Sequence, residues 1–447
     1  MAFKLFGTDG IRGRAGEFPL DDKTVYAVGL ALAGQIARSR RPTVLIGMDT
    51  RLSGLHIVRL LAAGLKDGGA AHEFAGVVPT PAVAYGTQQG DYSLGIVVSA
   101  SHNPFDDNGI KVFGPFGYKL PDETESQIEA RAESLLAQQL RVRADEPHDA
   151  PDLAAQYVRH LLRAGAVPRR ARNLRFVVDC ANGAASEVAP ILFEALGADV
   201  KYIGCAPNGR NINLDCGALH LEALAEEVVS SGADFGAALD GDADRCLFVD
   251  ETGHELNGDN VLLLMAQAFK RRDMLPDNLV VATVMSNLGL ELALQDQGIK
   301  LTRTSVGDKH VIDEMLTTGA ALGGEQSGHL IFGDYSTTGD GLLGLLMVLR
   351  TIVEESVPCS ELRKRLKVSP QKMINVRVRE KRPLEQLPEI RDAVADRELE
   401  LAGRGRVVIR YSGTEPVVRV MVEAENQQDV VQHCTDIARL FEKHLGQ

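Results

Sequence analysis

The segment Asp240–Gly241–Asp242–Ala243–Asp244–Arg245 places three carboxylates at alternate positions. In extended backbone such residues project to one side, where three negative charges repel unless a cation joins them. Oxygen-only ligands suit Mg²⁺, Mn²⁺ or Ca²⁺ rather than zinc. An EF-hand loop fails here. Glu251 falls at the twelfth position from Asp240, but the sixth is Arg245, where glycine is required, and the flanks read as strands.

A second loop, Ser99–Ala100–Ser101–His102–Asn103–Pro104, is followed by Asp107–Asn108–Gly109–Ile110–Lys111. It comes straight after the apolar run at 95–98, so it lies at a strand's C-terminal end, where open α/β sheets bind ligands. Ser101, next to His102 and within reach of Lys111, suits an activated nucleophile or a phosphoryl carrier; a plain Asx/Ser turn is the competing reading.

In the third loop, Gly323–Gly324–Glu325–Gln326–Ser327–Gly328–His329, glycines let Glu325 accept from hydroxyl or amine donors, and His329 can shuttle a proton. A glycine-rich hairpin explains it nearly as well. The fourth, Arg410–Tyr411–Ser412–Gly413–Thr414–Glu415–Pro416 with Arg419 following, joins hydroxyls, free backbone amides and guanidinium groups into a phosphate cradle.

The elements that must position these loops are short apolar runs alternating with helical patterns. Strands are expected at 43–48, 94–98, 174–179, 235–239, 246–249 and 279–284, with helices at 54–66, 187–196, 288–295 and 309–316. Such alternation implies parallel sheets with crossover helices. A weak repeat recurs at three strand ends: Asp49–Thr50 before Gly54, Asp179 to Gly183, and Ser286–Asn287 before Gly289. After 372 the order becomes β-α-β-β-α, which predicts an α+β domain with a largely antiparallel sheet. The expected architecture is therefore three similar α/β domains with mixed, mainly parallel sheets, at 1–150, 151–252 and 253–367. A C-terminal α+β domain follows at 368–447, and the active site lies where the four converge.

Composition sets the class. The chain has 447 residues, 44 of them Gly, with 5% aromatics and a formal charge of −13. An acidic chain without stacking platforms is not a nucleic-acid binder. Residues 369–447 hold 13 basic and 13 acidic side chains, so the whole −13 falls in residues 1–368. The neutral end thus supplies the cations that a phosphate site needs. The six cysteines form no CxxC pair, the start shows no signal peptide, and the apolar run at 25–37 is too short to span a bilayer. A cytoplasmic enzyme acting on a phosphorylated polyhydroxy compound, with no membrane contact, is expected.

In order and sequence, the four loops resemble those of the α-D-phosphohexomutase superfamily over essentially the full length. Phe6–Gly7–Thr8–Asp9–Gly10–Ile11–Arg12–Gly13, the stretch from Gly324 to His329, and Ser412–Gly413–Thr414–Glu415–Pro416–Val417–Val418–Arg419 carry the resemblance. Gln326 favours the branch acting on glucosamine phosphates over phosphomannomutase and phosphoglucomutase relatives.

The resemblance implies an isomerase that interconverts glucosamine 6-phosphate and glucosamine 1-phosphate. A phosphoserine enzyme and a hexosamine 1,6-bisphosphate, intermediate and activator, would carry the reaction, which feeds amino-sugar nucleotide and peptidoglycan precursor synthesis. Ser101 would be the phosphoserine. Asp240, Asp242 and Asp244 would hold one Mg²⁺ per subunit with a Ser101 phosphoryl oxygen. Glu325 and Ser327 would hold sugar hydroxyls, while Arg410, Ser412, Gly413, Thr414 and Arg419 would hold the non-reacting phosphate. Arg12, His102, Lys111, Arg245 and His329 would surround the reacting hydroxyl, with Lys111 or His329 as base. A homodimer and an activating kinase for Ser101 belong to the same set of expectations. Two positions depart from the relatives. Ala243 stands where many carry Gly, and needs a negative φ or some strain; Tyr411 stands where a smaller or basic residue is common.

Overall fold

The computed structural model describes residues 4–7, 9–40, 42–150, 152–401, 403–412 and 416–446. They cluster into two compact units, residues 1–283 with 302–364, and residues 284–301 with 365–447.

Three mixed sheets build the larger unit. The first runs in the order Phe6–Gly7, Gly10–Arg14, Asp107–Phe113, Leu94–Val98, Thr43–Met48, Ala71–Val77. Its last three strands are parallel and the others join antiparallel. Every residue of Leu94–Val98 is buried, as expected of a central strand covered on both faces. The helix Asp22–Ile36, capped by the Asp21 side chain on the Thr24 amide, contributes Val25, Val28 and Leu32 to this core. It accounts for the apolar run at 25–37.

The second sheet is ordered Glu255–Leu256, Cys246–Asp250, Phe235–Leu239, Arg175–Asp179, Asp199–Ile203. Its last three strands are parallel. The third sheet sets Leu279–Thr283 parallel to Leu322–Gly324, which pairs antiparallel with Leu330–Phe332. Among the described residues no helix is long and apolar enough to cross a membrane.

In the smaller unit, strands Gln371–Arg377, Val417–Ala424 and Gly405–Tyr411 form an antiparallel sheet with Val417–Ala424 in the centre. Helices Pro388–Leu401 and Gln427–Leu445 pack Ile390, Ile437 and Phe441 against Val418, Val420 and Val422. The segment 284–301, inside the stretch 253–367 expected as one domain, belongs to this unit. Asn287 Nδ2 donates to the Ser369 carbonyl (3.1 Å), and the Leu288 amide donates to buried Glu423 (3.2 Å).

The strand-end repeat ties turns. Asp49 accepts the Arg51 amide (2.9 Å), Asp179 the Ala181 amide (2.8 Å) and Asn287 the Gly289 amide (2.8 Å). These side chains occupy the amides that an anion would need.

Candidate active site

Ser101 leaves the strand Leu94–Val98 in left-handed backbone, φ +53°, a conformation costly for a residue with a Cβ. The surroundings impose it. Its amide donates to Ser99 Oγ (2.9 Å), which donates to Asp49 (2.6 Å), itself paired with Arg51 (2.8 Å). The same buried guanidinium donates to the carbonyls of Ser101 (2.9 Å), Asn103 (2.8 Å), Asp107 (3.0 Å) and Pro104. From the second sheet's loops, Asn213 Nδ2 adds bonds to the Ser101 and Asn103 carbonyls at 2.9 and 3.1 Å.

Ser101 Oγ donates to Asp240 at 2.5 Å. Asp240, Asp242 and Asp244 are buried, with one oxygen from each lying within 4.8 Å of the others. Ala243 turns the loop at φ +57°, so of the two options at this position the strained one is realised. Glycine at 241 is obligatory for packing, because a Cβ there would lie 2.5 Å from the Ser101 carbonyl.

Lys111 reaches the triad from a strand. The stretch from Asp107 reads as loop in sequence but forms Asp107–Phe113, with Lys111 opposite Val97. Its buried Nζ donates to Asp242 (2.8 Å) and Asp244 (2.9 Å) and lies 3.3 Å from Asp9. One ammonium does not satisfy the cluster: Asp242 Oδ1 is buried without a hydrogen-bond donor, and Asp244 Oδ1 has only the His329 ring 3.5 Å away. A hard divalent cation meets that deficit, so the donor set fits Mg²⁺.

Burial, with Asp244 and Asp242 close by, pushes the Asp240 carboxyl well above its ordinary value. Burial acts the same way on Asp244, but Lys111 and His329 outweigh it and hold that carboxyl well below. Burial disfavours the charged Lys111, yet Asp242, Asp244 and Asp9 raise it well above an ordinary lysine.

Around this core stand the remaining candidates. His102 Nδ1 lies 3.3 Å from Ser101 Oγ, and burial, Arg245 and Arg12 bring its pKa down to about 4. It is a neutral imidazole at physiological pH. Arg12 pairs with Asp9 and reaches Asn103 (3.4 Å), while the Arg245 amide donates to Asp240 (3.2 Å). His329, at the end of the third loop, has Nδ1 3.5 Å from Asp244, and its Nε2 accepts the Gly339 amide (3.0 Å). Both candidate bases are therefore engaged, Lys111 by three carboxylates and His329 by an amide. Lys111 is an ammonium with no lone pair to offer, and the Nε2 lone pair of His329 is free only when the Gly339 amide is displaced. Glu325 accepts the Gly307 amide (3.2 Å), and it and Ser327 are part-exposed.

In the C-terminal unit, Arg410 and Arg419 face each other across the antiparallel pair. Like charges so placed repel, and an anion between them would offset that cost. Ser412 is buried, and its amide donates to the Val417 carbonyl (2.8 Å). Gly413 and Thr414 lie outside the described residues. The Tyr411 hydroxyl donates to the Arg382 carbonyl (2.7 Å), a backbone brace for the next loop.

Several site residues carry no chemical signal in the sequence. Asp49 stood out only as part of the repeat. Arg51, Thr80 (Oγ1 to Asp242, 2.5 Å), Asn213 and Lys119, which bridges Asp9 and Asp308, gain meaning only from the fold.

Family models for phosphoglucomutase/phosphomannomutase match in consecutive stretches: alpha/beta/alpha domain I at residues 4–139, domain II at 155–253, domain III at 257–368 and the C-terminal domain at 373–440. The chain is 50% identical to a phosphoglucosamine mutase of Solibacter usitatus and 48% identical to one of Desulfovibrio desulfuricans, each alignment covering 100% of both chains. A solved phosphoglucomutase/phosphomannomutase family protein of Burkholderia thailandensis superposes with a TM-score of 0.82 at 25% identity, covering 98% of this chain and 97% of that one.

Proposed function

The chain belongs to the phosphoglucomutase/phosphomannomutase family, and we propose that this member interconverts glucosamine 6-phosphate and glucosamine 1-phosphate. The observation that carries the reading is the 2.5 Å contact of Ser101 Oγ with Asp240 inside a buried carboxylate triad. A serine held there can carry a phosphoryl group beside a metal. Full-length identity of about half to relatives named for this activity supports the substrate.

Phospho-Ser101 gives its phosphoryl group to the C1 hydroxyl of glucosamine 6-phosphate. The Oγ–P bond breaks as the new O–P bond forms, and the hydroxyl proton passes to His329, because Lys111 is held as an ammonium by three carboxylates. The resulting 1,6-bisphosphate turns over, and its 6-phosphoryl group returns to Ser101. When bound by Asp240, Asp242, Asp244 and a phosphoserine oxygen, Mg²⁺ would neutralise charge on the transferring group. Lys111, Arg12 and Arg245 add fixed positive charge where the equatorial oxygens develop theirs. Arg410, Ser412, Gly413, Thr414 and Arg419 would grip the phosphate that is not reacting, and Glu325 and Ser327 the sugar hydroxyls.

Four domains, divided at residues 150, 252 and 367, would carry one loop each, and the enzyme would work in the cytoplasm. A coupled assay over a panel of hexose phosphates tests the reading. Preferred turnover of glucosamine phosphate supports it, whereas equal or better turnover of glucose or mannose phosphates refutes the substrate assignment.

A further inference from the structure

Cys180 and Cys205 follow the ends of neighbouring parallel strands, Arg175–Asp179 and Asp199–Ile203, with Asp179 in register with Ile203. The two chains leave the sheet side by side: the Cys180 amide donates to the Ile203 carbonyl (3.1 Å) and the Asn182 amide to Gly204 (2.5 Å). The two sulfurs are near enough to influence each other's ionisation, and the Cys205 thiol donates to the Ser186 carbonyl at 3.1 Å. Cys180 is fully buried, whereas Cys205 is partly exposed beside exposed Ala206, Pro207 and Asn208. No step of the transfer chemistry uses either sulfur.

The turn between them backs the metal loop. Ala181 and Asn182 are left-handed, at φ +53° and +47°. The Ala184 amide donates to the Gly241 carbonyl (2.8 Å), and a Cβ on Gly183 would stand 2.3 Å from the same oxygen. Thr50, from the first sheet's strand end, donates to the Asn182 carbonyl (2.5 Å). A turn seated this tightly has no slack to absorb a shift of Cys180.

We propose that Cys180 and Cys205 are a peroxide-sensitive dithiol whose disulfide unseats the loop 240–245 and slows the enzyme. Cys205 is the attacking sulfur because it is the accessible one, and the neighbouring Cys180 thiol lowers its pKa, which favours the nucleophilic thiolate. The Cys205 thiolate attacks hydrogen peroxide; an S–O bond forms, the O–O bond breaks, and hydroxide leaves and takes a proton from solvent. Cys180 then attacks the sulfenic sulfur, its proton leaving with the hydroxyl as water. Two thiols are oxidised and one peroxide is reduced to two waters. The sulfurs must close from non-bonded contact to about 2.05 Å, and that movement is drawn from the turn behind Gly241.

The bridge and its effect on the loop stand on their own, while the loss of turnover rests on the mutase reading. The full-length protein is treated with hydrogen peroxide. Non-reducing peptide mapping, amide hydrogen exchange over residues 240–245 and glucosamine phosphate turnover are read on the same sample. The expected result is a Cys180–Cys205 linked peptide, faster exchange in 240–245, and turnover lowered about tenfold or more. Dithiothreitol should reverse all three, and Cys205→Ser should keep its turnover through the treatment. A missing link, a link with unchanged exchange, or an equal loss in Cys205→Ser overturns the proposal. If the untreated protein does not turn over glucosamine phosphate, the mutase reading fails instead, and mapping with exchange still decides this one.

Discussion

Lys111 and Asp242 form a fully buried ion pair, Nζ to Oδ2 2.8 Å, in which the ammonium also serves Asp244. One cation thus holds together a carboxylate cluster that would otherwise be uncompensated. Replacing Lys111 by Met should lower stability to urea by about 3–5 kcal/mol, the cost of stranding buried charge. Added Mg²⁺ should restore much of that loss, because the ion supplies the missing charge. An unchanged urea midpoint, or one indifferent to Mg²⁺, would show that the triad is not held electrostatically.

Arg51 donates to four carbonyls of the Ser101 loop as well as to Asp49. Lysine cannot reproduce that planar fork. Arg51→Lys should reduce kcat by about 100-fold with little change in KM, because the serine is displaced while the substrate grip is intact. A kcat within about twofold of the parent would remove Arg51 from the positioning role.

Asp340 caps the helix Gly341–Glu355, accepting the Leu343 amide (2.9 Å) and the Tyr157 hydroxyl (2.8 Å). Burial pushes its carboxyl up to about 6. Between the ordinary aspartate value and pH 6 the folded chain therefore holds a proton that the unfolded chain has released. The stability linked to that proton is present at low pH and lost as pH rises through 6. Asp340→Asn keeps the cap without the titration. Its stability relative to the parent should improve by about 2–3 kcal/mol between pH 4 and pH 8. A difference independent of pH in urea melts would contradict this.

Arg410 and Arg419 are cross-strand neighbours of like charge. Arg419→Gln should change stability to urea by no more than about 1 kcal/mol, while raising KM for the sugar phosphate about tenfold. Inorganic phosphate should stabilise the parent more than the variant. A variant with normal KM would locate the phosphate grip elsewhere.

The sequence was most legible where one physical demand acted alone. Leu94–Val98 and Phe235–Leu239 are buried throughout, so they read as continuous apolar runs. Asp107–Phe113 was hidden because the same residues serve the sheet and the site: Asp107, Asn108 and Lys111 interrupt the apolar pattern that would mark a strand. The carboxylate triad was legible because its three members are close in sequence. Arg51 was not, since its carbonyl partners lie some fifty residues away. The attachment of 284–301 to the C-terminal strands likewise depends on Asn287 and Glu423 meeting across the chain.

The central claim is that Ser101 carries the phosphoryl group. Intact mass with peptide mapping, before and after glucosamine 6-phosphate is added, tests it most directly. After charging with a hexose bisphosphate, one phosphoryl group is expected on Ser101. Substrate should discharge it as bisphosphate appears, and Ser101→Ala should lose turnover by more than about 1,000-fold. A serine that stays unphosphorylated under those conditions, or a Ser101→Ala variant that still turns over, would contradict it.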